Sequence, residues 1–322
     1  MSNQTKGNLV DISSNTQVLN LYKKRGRIKR IVCIALSVIF LLSGSGFVYY
    51  YSVLNSMNYV DISNDNDNTD STLPSSSDVF GNGTSSNDLL QNSKVLNVML
   101  FGEDNNQGEK YGRTDTMIML SIDNIHKKIK LTSFQRDTYV YIPGNGYDKI
   151  NASYTLGGAK LSIQAIEANF GIKIDRYAVV DFESFIKIID TLGGIDMEVT
   201  QDEIDYINYQ MYKNDQTDTA TTITDAPGNV HLNGQEALWY ARDRGLTKGE
   251  DDNEIGIDGD DWDRTSRQRK LLETLFDSMK SADLGQIVSI VSSIGPLITT
   301  NLKKDEITAL VSNALTYLKY DV

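Results

Sequence analysis

The sequence predicts a three-layer α-β-α domain of the α/β class with a central mixed sheet, preceded by one transmembrane helix. Two observations predict this. After residue 94, short apolar segments of strand composition alternate with stretches of helical period, the pattern of a sheet covered by helices on both faces. Before it, one run of 21 residues carries no charge.

The elements follow in order. Residues 1–30 hold seven basic residues and one acid, Asp11. Residues 31–51 (IVCIALSVIFLLSGSGFVYYY) are the uncharged run, long enough at about 1.5 Å per residue to cross a hydrocarbon core of about 30 Å. A cleavable signal peptide fits less well, since the run starts thirty residues in and ends in three tyrosines suited to an interfacial belt. The basic run Lys23–Arg30 abuts the span and, by the positive-inside rule, keeps residues 1–30 cytoplasmic and sends the rest of the chain outward. The expected location is therefore the cell membrane, with a single pass and an extracellular C-terminal domain. Residues 52–93 read as a flexible stalk, because residues 59–93 are rich in Ser, Asn, Asp, Thr and Gly and contain no Lys or Arg.

Residues 94–322 make up the folded domain. Strands are expected at VLNVMLF, TMIMLSI, KIKLTSF and YVYI, then a helix over about 158–169 that Gly171 stops. A further strand over 177–182 leads into an amphipathic helix that ends at Gly193 and Gly194. Residues 200–229 look polar and turn-rich, and are expected to form a surface excursion or lid. Three amphipathic segments close the chain, over 264–279, 284–298 and 304–318.

Charge excludes one class of partner. The net charge is -12, and setting aside residues 1–30 leaves 24 basic and 42 acidic residues, or -18, for the remainder. Such a body disfavours nucleic acid, whose phosphates must be neutralised by protein cations. A phosphorylated ligand would need a locally concentrated set of arginines. The single cysteine, Cys33, permits no intramolecular disulfide. The acidic stretch 250–263 departs from a calcium loop at Ile255, and His126 and His231 lie too far apart in sequence to suggest a zinc site.

Five polar groups sit where strands are expected to end: FGED (101–104), RTDT (113–116), SFQRDT with DKIN (133–138, 148–151), YARDR (240–244) and DWDRTSRQ (261–268). A helix starting near Asp261 or Asp263 would place Arg264, Arg267 and Gln268 on one face, continuing into Leu271 and Leu272. Arg242 and Arg244, read as part of an extended segment, would share a side. Any one Arg-Asp pair alone is most simply a solvated surface pair worth about 0 to 1 kcal/mol.

In order and spacing these groups resemble the LytR-CpsA-Psr family of cell-wall glycopolymer ligases, over about residues 95–275. The chain supplies Asp104, Arg113 with Asp115, Arg136 with Asp137, Lys149, Gly157 with Gly158, Arg242 with Arg244, and Asp261, Arg264, Arg267 and Gln268. It departs at Gln135, where proline is usual. The resemblance implies a phosphotransferase that moves an anionic glycopolymer, teichoic acid or capsular polysaccharide, from a polyprenyl pyrophosphate carrier to a peptidoglycan hydroxyl. It further implies that Arg113, Arg136, Lys149, Arg242, Arg244, Arg264, Arg267 and Gln268 bind the pyrophosphate, and that Asp104 and Asp115 hold Mg²⁺ or Mn²⁺. Asp137 or Asp261 would accept the proton or orient an arginine beside Arg136. Two rival functions remain at this point, a membrane-anchored regulator of envelope genes and a polyprenyl-pyrophosphate hydrolase or binding protein.

Overall fold

A computed structural model describes residues 51–52, 54–55, 57–60, 94–104, 111–214, 223–244, 247–248, 254–255 and 259–322. No helix among these is long and apolar enough to cross a membrane. The expected basic N-terminus lies outside the described residues, and so does the expected span apart from Tyr51.

The main sheet has six strands in the order β1 (Asn58–Tyr59), β12 (Thr299–Thr300), β7 (Arg176–Asp181), β2 (Val95–Asp104), β3 (Arg113–Asp123) and β4 (Lys128–Ser133). It is mixed: β1 with β12 and β2 with β7 run parallel, while the other neighbours are antiparallel. Two-stranded ribbons pair β5 (Tyr139–Ile142) with β6 (Gly146–Lys149), β8 (Ile195–Val199) with β9 (Gly228–Leu232), and β10 (Thr247–Lys248) with β11 (Glu254–Ile255).

Strand alternation gives the sheet two unlike faces. Met99 and Phe101 of β2, Met117 and Met119 of β3, and Tyr177 and Val179 of β7 are buried in one cluster with Tyr154, Ala159, Ile163 and Ile166 of helix α1 (Ala152–Phe170). The intervening residues Leu100 and Gly102, Thr116 and Ile118, and Ala178 and Val180 face a cavity instead. Helix α1 bends at Gly157 and Gly158. Gly158 has φ +62°, and a Cβ there would come within 2.6 Å of the Tyr111 ring, so glycine is what lets that ring pack against the helix.

Helices α2 (Phe182–Thr191), α4 (Gly234–Arg242) and α5 (Asp261–Ser278) line the cavity from the opposite side. Their starts are written in the sequence. Asp181, Asn233 and Asp260 each cap a first turn by accepting backbone N–H bonds, and the last two form capping boxes with Glu236 and Asp263. Gly234 brings α4 against α2, because a Cβ at that position would lie 2.2 Å from the Ile186 carbonyl oxygen. Beyond these elements, α6 (Leu284–Ile294), α7 (Lys304–Ser312) and α8 (Ala314–Tyr317) complete the domain.

Three expectations are corrected. Residues 201–213 form helix α3 (Gln201–Lys213), which buries Ile204, Ile207 and Met211 and starts on a Thr200–Glu203 capping box; the lid reading overlooked that spacing of three and four among polar neighbours. Arg242 ends helix α4, so Arg242 and Arg244 do not sit in an extended segment. The stalk expected over 52–93 does not begin at 52: Leu54 is buried, β1 pairs with β12, and the Asn58 side-chain amide donates to the Pro296 carbonyl. A two-residue edge strand carries no periodicity by which a sequence reading could find it.

Candidate functional site

The site forms at one end of the hollow face. Asp115 stands there through an irregularity in the ladder, since Gly102 pairs with Thr116 and Glu103 with Thr114, leaving Asp115 as the extra residue of a β-bulge. Bulges re-aim side chains. Both oxygens of Asp115 are engaged: Arg136 Nη1 donates to Oδ1 at 2.7 Å and Arg244 Nη2 donates to Oδ2 at 2.5 Å. Arg264 Nη2 donates to the Asp115 backbone carbonyl at 3.2 Å.

A second carboxylate faces the same arginines. Asp261 Oδ1 lies 2.6 Å from Arg264 Nη2 and 3.4 Å from Arg136 Nε. Arg136 Nε also lies 3.4 Å from Asp137, whose other oxygen accepts from Lys149 Nζ at 2.6 Å. Residues from β3, the β4–β5 connection, β6, the end of α4 and the first turn of α5, scattered over 150 positions of sequence, thus meet in one network.

Burial and charge set the protonation of these groups. Burial works to raise the Asp115 carboxyl, but the Arg136 hydrogen bond and the positive charges of Arg244, Arg136 and Arg264 outweigh it and hold it below its ordinary value. Burial works against the Arg136 charge too, yet Asp115, Asp261 and Asp137 keep that guanidinium above its usual value. The hydrogen bond from Lys149 holds Asp137 low. Arg264 is the exception. It is only 1% exposed, and burial together with the nearby Arg244 and Arg136 brings it down to about 10 despite Asp261. Arg264 Nε and Nη1, Arg136 Nε, both Asp261 oxygens and Gln268 Oε1 are buried without a well-formed hydrogen bond. Leaving such groups unsatisfied costs about 1–3 kcal/mol each, so an anionic ligand placed among the N–H groups would recover energy the fold leaves unspent.

Directly beside the arginines opens an apolar slot of about 210 Å³. Arg242, Arg244, Arg264 and Gln268 line it with Asp115, while Phe182, Phe185, Ile188, Leu238, Leu272 and Leu275 make up much of its apolar wall. Arg242 holds its place by stacking, its guanidinium carbon 4.5 Å from the centre of the Phe182 ring and 5.0 Å from that of Trp239. Gln268 donates to the Ala241 carbonyl at 3.3 Å.

Arg267 turns elsewhere. It donates to the Asp243 carbonyl at 2.6 Å and is not among the residues lining the slot. This buried pairing fixes the turn between Arg242 and Arg244. Arg113 begins β3, exposed and opposite Asp104 in strand register, and likewise does not line the slot.

Gln135, at the position of the usual proline, ties the two halves of the site, its Nε2 donating to Thr265 Oγ1 of α5 at 3.0 Å. The family resemblance implies an apolar channel between sheet and helices for the carrier's tail, but the residues that line it were not picked out from the sequence. Their signal was the alternation that puts small or slender residues, Gly102, Thr116 and Ala178, on one face of three neighbouring strands. Among the described residues there is no group of three or more His, Cys, Asp or Glu side chains that could hold a metal by itself.

Comparison with known proteins gives a consistent result. The LytR_cpsA_psr family description matches residues 49–322. The chain is 35% identical over 195 residues to the regulatory protein MsrR of Staphylococcus aureus strain Mu50, covering 60% of this chain and 52% of that one. It is 32% identical over 223 residues to the polyisoprenyl-teichoic acid–peptidoglycan teichoic acid transferase TagV of Bacillus subtilis strain 168, covering 67% of this chain and 52% of TagV. The chain thus spans about half the length of these relatives. The crystal structure of B. subtilis TagV superposes with a TM-score of 0.54 at 31% identity, covering 72% of this chain and 84% of that one. The LytR-CPS2A-psr family protein YwtF (TagT) with bound octaprenyl pyrophosphate lipid superposes with a TM-score of 0.50 at 26% identity, over 70% and 75% of the two chains.

Proposed function

The chain belongs to the LytR-CpsA-Psr family, and from that premise we propose that it is a phosphotransferase moving an anionic glycopolymer from a polyprenyl pyrophosphate carrier to a peptidoglycan hydroxyl. One observation carries this reading: Arg136, Arg244 and Arg264 converge on Asp115 and Asp261 at the edge of an apolar slot. Guanidinium forks match phosphate oxygens, and the slot is suited to an isoprenoid tail. The octaprenyl pyrophosphate bound to a family member of the same fold supports the assignment of these two parts.

In this reading the acceptor hydroxyl oxygen bonds to the phosphorus that bears the glycopolymer. The bond from that phosphorus to the bridging oxygen breaks, and polyprenyl phosphate leaves. Arg136, Arg244 and Arg264 offset the charge that grows on the leaving phosphate, and they are held in place beforehand by Asp115 and Asp261. Arg242, Lys149 and Gln268 add donors around the same group, Arg113 serves from its margin, and Arg267 acts indirectly by fixing the turn that presents Arg242 and Arg244. Asp137, kept acidic by Lys149, is a weak base and acts by orienting Arg136. Asp261, ion-paired to Arg264, orients that arginine or takes the acceptor's proton.

Asp104 and Asp115 would hold Mg²⁺ or Mn²⁺, Asp115 exchanging an arginine hydrogen bond for the ion. They stand at the same end of neighbouring strands, and two carboxylates with phosphate oxygens and water complete the shell such an ion prefers. When bound, the ion would neutralise phosphate charge. The domain would act outside the cell, tethered by a single span over residues 31–51 with residues 1–30 in the cytoplasm.

Transfer of radiolabelled polymer from a lipid-linked donor to wall fragments tests the assignment. Activity should vanish on chelation and return with Mg²⁺. Release of polymer to water at the same rate with and without acceptor would make the protein a hydrolase instead.

A further inference from the structure

Exposed aromatic rings cluster where the mechanism uses none. Among the described residues, the two most exposed large apolar side chains are Tyr139, at 72%, and Trp262, at 66%. Both adjoin the arginine network. Trp262 follows Asp261, which faces Arg136 Nε at 3.4 Å. Tyr139 lies opposite Lys149 across the β5–β6 ribbon, and Lys149 holds Asp137 on the other side of Arg136. The Gln135–Thr265 hydrogen bond joins the segment leading into the ribbon to the first turn of α5.

The ribbon itself is sided. Val140 and Ile142 face inward and are buried with α1, so Tyr139, Tyr141, Tyr147 and Lys149 share the outer face. Tyr139 and Tyr147 lie nearly parallel at 22°, with centroids 5.9 Å apart, and Tyr141 meets Tyr147 edge-on at 5.4 Å. Exposing several rings together beside a reactive centre costs burial energy and marks a contact surface.

Resting on the function proposed above, we infer that Trp262 and the Tyr139–Tyr147 pair form a platform for the acceptor glycan strand. The weakly positive C–H faces of a pyranose ring pack on the negative face of an aromatic ring. Asp261 and Asp263 flank Trp262 in the chain, and Asp137 accepts from Lys149, which lies opposite Tyr139; carboxylates accept hydrogen bonds from sugar hydroxyls. The carboxylates beside Trp262 and the net charge of -18 outside residues 1–30 disfavour an anionic donor polymer there, which favours the uncharged wall-glycan backbone as the occupant.

Two tryptophans occur in the chain, and the other, Trp239, is buried. Titrating the full-length protein with soluble peptidoglycan glycan tetrasaccharide should therefore shift emission from Trp262. The double variant Tyr139→Ala/Trp262→Ala should weaken tetrasaccharide binding, followed by calorimetry, at least tenfold, while octaprenyl pyrophosphate binding stays within twofold. Trp262→Phe should recover most of it. Unchanged tetrasaccharide affinity in the double variant overturns the platform even where Arg136→Ala abolishes transfer. Loss of donor-polymer binding, or of binding to vesicles of anionic phospholipid, with the tetrasaccharide unaffected, overturns it also and assigns the rings to the donor or to the membrane surface.

Discussion

The two faces of the central sheet come from the same strands and do opposite things. Toward α1, Met99, Met117, Met119 and Tyr177 are buried in one cluster with Ile163 and Ile166. Toward α2, α4 and α5, residues one position along leave a slot of about 210 Å³ and a buried arginine with unmet N–H groups. The second arrangement is costly, since Arg264 keeps its charge at neutral pH in both folded and unfolded states and loses its hydration on folding. The lesson is a division of labour. One face supplies stability, and that surplus permits the other to stay hollow and lined by arginines.

The sharpest way to break this comparison is at the clamp. Arg136→Ala should lower transfer to wall fragments by at least about 10²–10³-fold, the loss typical when a preorganised charge donor is removed, with the fold intact by circular dichroism. Near-normal turnover would mean that the hollow face is not the reaction site.

Next come matched truncations on the two faces. Met119→Ala should cost about 2–5 kcal/mol in urea unfolding, because it opens a cavity in a buried cluster. Leu272→Ala, which only widens an existing slot, should cost about 1 kcal/mol. Equal losses would remove the contrast between the faces. Leu272→Trp should fill the slot and weaken octaprenyl pyrophosphate binding by more than tenfold with little change in melting temperature.

Ligand should relieve the cost that the hollow face carries. At one hundred times its dissociation constant, octaprenyl pyrophosphate should stabilise the protein by about 2.7 kcal/mol, read as a rise in melting temperature that Leu272→Trp abolishes.

The smallest effect concerns acid. The carboxyls of Asp115 and Asp137 are lower in the folded protein than in the unfolded chain, so the stability they contribute is present above about pH 4 and lost as pH falls through their folded-state values. Asp115→Asn should therefore flatten the decline of the urea midpoint between about pH 5 and 3. A decline as steep as in the unmodified protein would place the acid sensitivity elsewhere.

Much of this was legible from local patterns. The strands over 95–133, the stop at Gly171, the α5 start at Asp261 and the grouping of Arg136 with Asp137 all follow from short-range periodicity, capping and motif spacing. Helix α3 was missed because its apolar positions are diluted by Asp202, Asp205, Asn208 and Gln210, and packing against α4 decides it instead.

The sequence by itself determined which residues carry charge, where helices begin and end, and that strands alternate between two faces, since each depends on neighbours within a few positions. Only the tertiary structure decided that Asp115 is a bulge residue bridging Arg136 and Arg244, that Arg267 turns to Asp243 while Arg264 and Gln268 face the slot, and which residues line that slot. Those outcomes depend on strand register and on how closely three helices approach the sheet. Both are fixed by contacts between residues far apart in the chain, which no local pattern encodes.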